Sequence, residues 1–188
     1  MLEDYPAPGH RSRRLAVANT HLYSHKDFPD TKLWQSLVLA RALDSFCNRQ
    51  REQLPFVLAG DFNSGPDSSV YELLATQGVS RSHPDLAPRT QNGYAAANVL
   101  PDARQITHRL PLASAYAAIM GVEPDFTNYT LGFRGTLDYI WFDQSALRCA
   151  AVAPVPPVDQ LTRAGPALPN PQYPSDHVVL VADFIFLP

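Results

Sequence analysis

The chain is short of cysteine, of net charge and of long hydrophobic runs, and each shortage excludes something. Only 2 cysteines occur in 188 residues, Cys47 within a helical pattern and Cys149 in a strand-like run, which is too few for a disulfide framework or a cysteine zinc site. The expectation is an intracellular, reducing compartment, cytoplasmic or mitochondrial, with any targeting segment outside these residues. The formal net charge of −3 argues against a protein that coats nucleic acid. It leaves room for one that grips a single strand end in a local basic cleft. No apolar stretch approaches the ~20 residues of a membrane-crossing helix, and no charged-then-apolar leader opens the chain. What is present, with 45% hydrophobic residues, reads as one soluble globular domain or most of one.

Along the chain, element types alternate. LAVANTH (15–21) is a short β-like run. PDTKLWQSLVLARALDSFCN carries apolar residues at 33, 37, 40, 43 and 47, which is helical spacing, with Asp30 as N-cap. PFVLAGDF reads as a buried strand, and Ser69-Val70-Tyr71-Glu72 has the form of a capping box opening a helix through Leu74. Residues 81–105 lack period and read as loop, and PLASAYAAIM reads as another helix. DFTNYTL, GTLDYIWF and ALRCAAVAPV read as strands, followed by a Pro-rich loop over 154–175 and a last strand, HVVLVADFIF. Residues 1–13 are expected to be a disordered or linker N-terminus and 14–188 a single α+β unit.

The stretch GDFNSGP (60–66) asks for an explanation. A carboxylate and an amide two residues apart at a strand end point to the same side, so Asp61 and Asn63 can face one ligand at the rim of a sheet. Such a pair suits a hard, oxygen-loving cation such as Mg²⁺, or a phosphate with an attacking water. The same residues are also ordinary turn-formers, and taken alone they read as a turn. His21 closes VANTHL, and His177 follows YPSD at the head of the final strand. Asp138 lies inside an apolar strand, where a carboxylate is costly unless paired; a His–Asp pair across adjacent strands would remove that cost and fix the imidazole tautomer.

NTHL (19–22), GDFNS (60–64), TNYT (127–130), GTLDYIWF (135–142) and PSDH (174–177) occur in an order that resembles the endonuclease/exonuclease/phosphatase superfamily, the metal-dependent DNase I-like fold. TNYTLGFRGTLDYIW, YPSDHVVLVADF and DTKLWQ are similar to the branch containing poly(A) deadenylases, nocturnin and the 2′,5′-phosphodiesterases. The resemblance implies an α+β fold, the C-terminal half of a four-layer α/β/β/α sandwich, with a mixed, mainly antiparallel sheet and flanking helices. It implies that Asp61 orients or deprotonates the attacking water, and that Asn63 holds the scissile phosphate or completes a metal shell. His177, paired with Asp138, would bind metal or stabilise charge on phosphate. Asp176 would sit in or beside the metal shell, and His21 would hydrogen-bond a phosphate oxygen. Asn128 would contact the terminal nucleotide, Phe133 would stack on its base, and Arg134 would touch the phosphate chain. The implied activity is a Mg²⁺-dependent (or Mn²⁺-dependent) 3′→5′ exoribonuclease that releases AMP from the 3′ end of poly(A) or from 2′,5′-oligoadenylate, with no membrane partner.

One family feature has no counterpart here. The first half of such a domain supplies a strand-borne Glu in a Gln-Glu-Val-like stretch, and no such stretch occurs; Glu52 lies in RQREQLP, and Glu3, Glu72 and Glu123 are in other contexts. The expectation is therefore a part of a larger enzyme whose N-terminal half is its partner. The alternative is a catalytically inactive half-domain that binds RNA or protein. A lone half would leave apolar sheet surface and edges uncovered. The loops 81–105 and 154–175 are expected to wall the substrate cleft.

Overall fold

The computed structural model describes residues 2–3, 13–50, 54–88, 90–91, 94–95, 100 and 106–188. In chain order the strands and helices are β1 (Leu2–Glu3), β2 (Arg14–His21), α1 (Pro29–Asn48), β3 (Phe56–Asp61), α2 (Ser69–Thr76), β4 (Thr90–Gln91), β5 (Tyr94–Ala95), β6 (Leu112–Ser114), α3 (Ala115–Met120), β7 (Asn128–Tyr129), β8 (Arg134–Gly135), β9 (Asp138–Asp143), β10 (Leu147–Val152), α4 (Val158–Leu161) and β11 (Ala182–Phe186).

A five-stranded sheet runs in the order β1-β2-β3-β9-β6. β2 and β3 pair in parallel, joined by the α1 crossover, and the other neighbours pair antiparallel, so the sheet is mixed and mainly antiparallel. β3 is central, and its alternation sorts two cores. Leu58 points with Leu33, Leu37, Ala40, Leu43, Leu73 and Trp141 into the layer beneath α1 and α2. Val57 points the other way, to Ala115, Phe142, Leu147 and Cys149, with Phe184 and Phe186 of the β10–β11 hairpin packed against them. The chain is thus a mixed α/β fold with flanking helices. Cys47 and Cys149 are both buried and free. Among the described residues no helix is long and apolar enough to cross a membrane. Val179, Val181 and Ile185, on β11 and the segment leading into it, are exposed apolar side chains.

Gly60 is fixed by close approach. Its φ is +144°, and a Cβ there would lie 1.9 Å from the Thr20 carbonyl oxygen, so only glycine lets β2 and β3 run together to the end of their register.

Several local expectations shift. Asp30 sits inside α1 rather than capping it, because Pro29, which needs no partner for a missing N–H, takes the first position and Phe28 the cap. The cap of α2 is Ser68, whose side chain accepts from the Tyr71 N–H; Ser69 instead donates to Asp85, and Glu72 accepts from the Ser80 N–H. PLASAYAAIM splits into β6 and α3, because Leu112–Ser114 is drawn into pairing with β9. The last strand begins only at Ala182, where β10 offers a partner. The 154–175 segment contains the single turn α4, and residues 84–86 of the 81–105 loop form a 3₁₀ turn. Of the expected N-terminal linker, Leu2 and Glu3 pair with Leu15 and Arg14; residues 1 and 4–12 lie outside the described residues, as do Glu52 and much of 81–105.

Candidate active site

Strand register assembles the site. His21 ends β2 opposite Asp61 at the end of β3, and Asp61 stands opposite Asp138 at the start of β9. Three neighbouring strands thus place His, Asp and Asp in one row at one end of the sheet. His177 is added by a bridge between Asn128 and His177 and by the Val178 N–H, which donates to the Thr127 carbonyl at 2.8 Å.

The side chains converge. His177 Nδ1 lies 2.7 Å from Asp138 Oδ2, and His177 Nε2 lies 3.9 Å from Asp61 Oδ2. His21 Nε2 approaches the same Asp61 oxygen at 3.4 Å. One ligand atom from each of Asp61, Asp138 and His177 lies within 4.8 Å of the others. Asn63 follows in the left-handed region, φ 47°, which asparagine tolerates better than most residues. Its N–H donates to Asp61 Oδ1 at 2.7 Å, and its Nδ2 donates to Asp61 Oδ2 at 3.2 Å and to the Leu22 carbonyl at 2.9 Å.

The cluster shifts its own protonation. Burial pushes the Asp61 carboxyl above its ordinary range and Asp138 pushes it further, against the Asn63 N–H, His177 and His21. Burial pulls His177 down, but the Asp138 hydrogen bond and the carboxylates of Asp138, Asp61 and Asp176 outweigh it, so His177 is raised overall. With Asp138 accepting, Nδ1 carries the proton and Nε2 is the nitrogen turned toward Asp61.

Beside the cluster lies a cleft of about 460 Å³ whose walls include Lys32, Asn63, Asp85, Phe133, Arg134 and Leu137. Phe133 is 47% exposed and stands in the cleft wall. Arg134 lies over the Phe126 ring at 4.9 Å and pairs with Asp125 at 3.6 Å. Asn128, expected to contact nucleotide, is buried and outside the cleft lining; its Nδ2 donates to Asp176 Oδ2 at 3.0 Å. Asp176, expected beside a metal, is thereby turned toward Asn128 and lies outside the three-residue cluster. Asp85 of the 81–105 loop reaches the cleft. Among the described residues none from 154–175 does: Val155 and Val158 instead line a second hollow with Tyr116 and Phe126.

Two site residues were missed from the sequence. Thr127 Oγ1 donates to Asp138 Oδ2 and accepts the N–H groups of Leu137 and Asp138, so one buried hydroxyl holds the head of β9. Lys32 Nζ donates to the Asn63 carbonyl at 2.7 Å. Lys32, Ser36 and Ala40 lie four apart at the edge of the buried stripe of α1, but a lysine in the first turn of such a helix reads as a solvated cation. Glu72 and Glu123 are engaged elsewhere, Glu72 with Ser80 and Glu123 with the Tyr71 hydroxyl.

Known proteins resemble this chain in sequence and in fold. Carbon catabolite repressor protein 4 homolog 2 of Arabidopsis thaliana is 34% identical over 196 residues, 94% of this chain and 31% of that protein. The CCR4-Not complex 3′-5′-exoribonuclease subunit Ccr4 of Emericella nidulans is 32% identical over 205 residues, 91% of this chain and 29% of its own length. The chain therefore spans under a third of these relatives. Among solved structures, ANGEL2, a 2′,3′-cyclic phosphatase solved with adenosine-2′,3′-vanadate, superposes with TM-score 0.69 at 26% identity, over 95% of this chain and 58% of that one. The human Nocturnin catalytic domain with bound sulfate gives TM-score 0.58 at 27% identity, over 91% of this chain and 46% of that one. The pattern of the Endonuclease/Exonuclease/phosphatase family matches residues 8–177. With Asp61, Asp138 and His177 in one cluster and His21 beside Asp61, the chain belongs to the endonuclease/exonuclease/phosphatase family.

Proposed function

We propose that this chain is the strand-end half of the catalytic site of a divalent-metal-dependent 3′→5′ exoribonuclease, one that releases AMP from poly(A) or 2′,5′-oligoadenylate and is completed by a further N-terminal half-domain. The observation that carries the reading is the convergence of Asp61, Asp138 and His177 beside a cleft walled by Phe133.

The donor set fits a hard cation: two carboxylates and an imidazole gather at one point, with the Asn63 NH₂ holding one of the carboxylates in place. Asp61 and His177 would hold Mg²⁺ or Mn²⁺, which would neutralise charge on the phosphate oxygens, while Asn63 keeps the Asp61 carboxylate in position. The chain's own residues do the rest. Asp61, whose carboxyl burial pushes above its ordinary range, orients a water and takes its proton. Asp138 holds the His177 ring in one orientation, so Nε2 faces the reacting phosphate. His21, exposed beside Asp61, donates to a phosphate oxygen. Phe133 offers a face to the terminal base, a contact typically worth ~1–3 kcal/mol. Arg134 at the cleft rim attracts the backbone.

The test is Mg²⁺-dependent release of AMP from 3′,5′- and 2′,5′-linked oligo(A), lost in Asp61→Asn. Wild-type chain that releases no AMP at any Mg²⁺ concentration would sink autonomous catalysis by these 188 residues. The likeness to ANGEL2 favours a second reading, opening of a terminal 2′,3′-cyclic phosphate, and an oligo(A) carrying that end, assayed in parallel, separates the two.

A further inference from the structure

Lys32 stands where a lysine is unfavourable in three ways. It lies in the first turn of α1, at the positive end of the helix dipole, which disfavours a cation. It is 7% exposed as a residue, and its ammonium is partly buried in the cleft wall. Among the described residues no carboxylate pairs with it directly; burial pulls its pKa down, and Asp85 and Asp61 oppose this only from a distance. Fold stability does not account for a lysine here.

Its hydrogen bond does. Nζ reaches from α1 to the β3–α2 turn and donates to the Asn63 carbonyl at 2.7 Å. That turn is gripped on either side by the segment containing β9: the Phe62 N–H donates to the Leu137 carbonyl, and the Ser64 carbonyl accepts from the Tyr139 hydroxyl at 2.8 Å. Lys32 supplies the bond to the carbonyl between them. Asn63 is the residue with positive φ, and its N–H and Nδ2 are the two groups that grip the Asp61 carboxylate. Relaxation of Asn63 out of the left-handed region would disturb both.

We propose that Lys32 is a positioning residue: its half-buried ammonium locks Asn63 in the left-handed turn and, through Asn63, fixes the direction of the Asp61 carboxylate. The role in turnover rests on the proposed hydrolytic function; the conformational role does not.

The experiment is residue-resolved amide hydrogen exchange on the full chain, comparing wild type, Lys32→Met and Lys32→Arg, with thermal unfolding alongside. In Lys32→Met the Asn63 amide exchanges about tenfold faster, the scale set by one lost hydrogen bond. The amides of Val57, Leu58 and Ala59 keep their protection, and the unfolding midpoint stays level or rises because an unfavourable buried charge is gone. Lys32→Arg, which keeps a cationic donor, restores Asn63 protection. Unchanged Asn63 exchange in Lys32→Met overturns the proposal. So does a uniform loss of protection across β3, or a failure of Lys32→Met to fold, since either would make the lysine a stabilising residue. Where wild type turns over oligo(A), Lys32→Met lowers kcat with KM held within about twofold. Wild type without turnover would rule out autonomous catalysis by these 188 residues and leave the exchange result to decide this proposal.

Discussion

His177 and Asp138, 39 residues apart, meet through Nδ1 and Oδ2 at 2.7 Å, and the same Asp138 oxygen accepts from the Thr127 hydroxyl. The pair ties the segment before β11 to the head of β9, and it decides which imidazole nitrogen faces Asp61. A ring on a loop becomes a directed group because a strand-borne carboxylate, itself held from behind, fixes its tautomer.

Asp138→Asn tests that dependence. An amide in the same place can turn its NH₂ toward Nδ1 and force the proton onto Nε2, the wrong tautomer for the proposed role. At saturating Mg²⁺ the expected fall in kcat is about 10²- to 10⁴-fold, with folding retained. Single-turnover AMP release reads it, and a kcat within about threefold of wild type would show that Asp138 does not direct His177.

Thr127→Val removes the hydroxyl while keeping the shape. Two main-chain N–H groups, of Leu137 and Asp138, lose their acceptor in a place where Thr127 itself is 0% exposed. Urea unfolding is expected to show a loss of about 2–4 kcal/mol with an unchanged slope, and Thr127→Ser a loss under about 1 kcal/mol. Equal losses in the two variants would mean that the methyl group, not the hydroxyl, holds the site.

How much was readable in advance follows from where each signal lives. β3 and β9 were legible because central strands buried on both faces are continuous apolar runs, and a polar residue at the end of such a run stands out; that exposed Asp61 and Asp138. Phe133 was legible as an exposed loop aromatic because Gly132 and Arg134 flank it. Lys32 was not: at the start of an amphipathic helix it looks like a solvated cation, and only the tertiary approach of the Asn63 turn buries it. Thr127 was hidden because a threonine in a β-rich motif needs no explanation until its hydroxyl is seen to have three partners. Leu112–Ser114 has the composition of a helix, and pairing with β9 overrode that preference. The direction of the Asn128 amide depends on Asp176, 48 residues away, which spacing along the chain does not reveal.

Gly60→Ala should be among the most damaging single changes. The added Cβ would stand 1.9 Å from the Thr20 carbonyl oxygen, at a φ of +144° that side chains rarely adopt. Separating β2 from β3 at that point also pulls His21 from Asp61. The expected loss is about 3 kcal/mol or more, visible as a collapse in soluble yield or unfolding midpoint. A soluble protein melting within about 2 °C of wild type would show that the two strands can part at little cost.

His108 gives the fold an acid-side weakness. It is buried, its Nε2 lies 2.8 Å from the Leu73 carbonyl, and its Nδ1 accepts the Leu110 N–H, so both nitrogens are used by the neutral ring. Burial lowers its pKa below the ordinary 6.5, outweighing the Leu73 bond and the more distant Asp44. Between that depressed value and 6.5 the unfolded chain holds the proton and the folded one does not, so stability falls as pH drops through this window and is complete above it. Asp61 and Glu123, both raised, work the other way, gaining stability on acidification, so the wild-type profile alone mixes signs. His108→Gln removes the titration while Gln can still donate to Leu73. The stability advantage of wild type over His108→Gln, measured by urea unfolding, is expected to shrink steadily from about pH 8 to about pH 5. An advantage constant across that range would mean that His108 takes up its proton at the same pH in both states and contributes nothing to the acid limb.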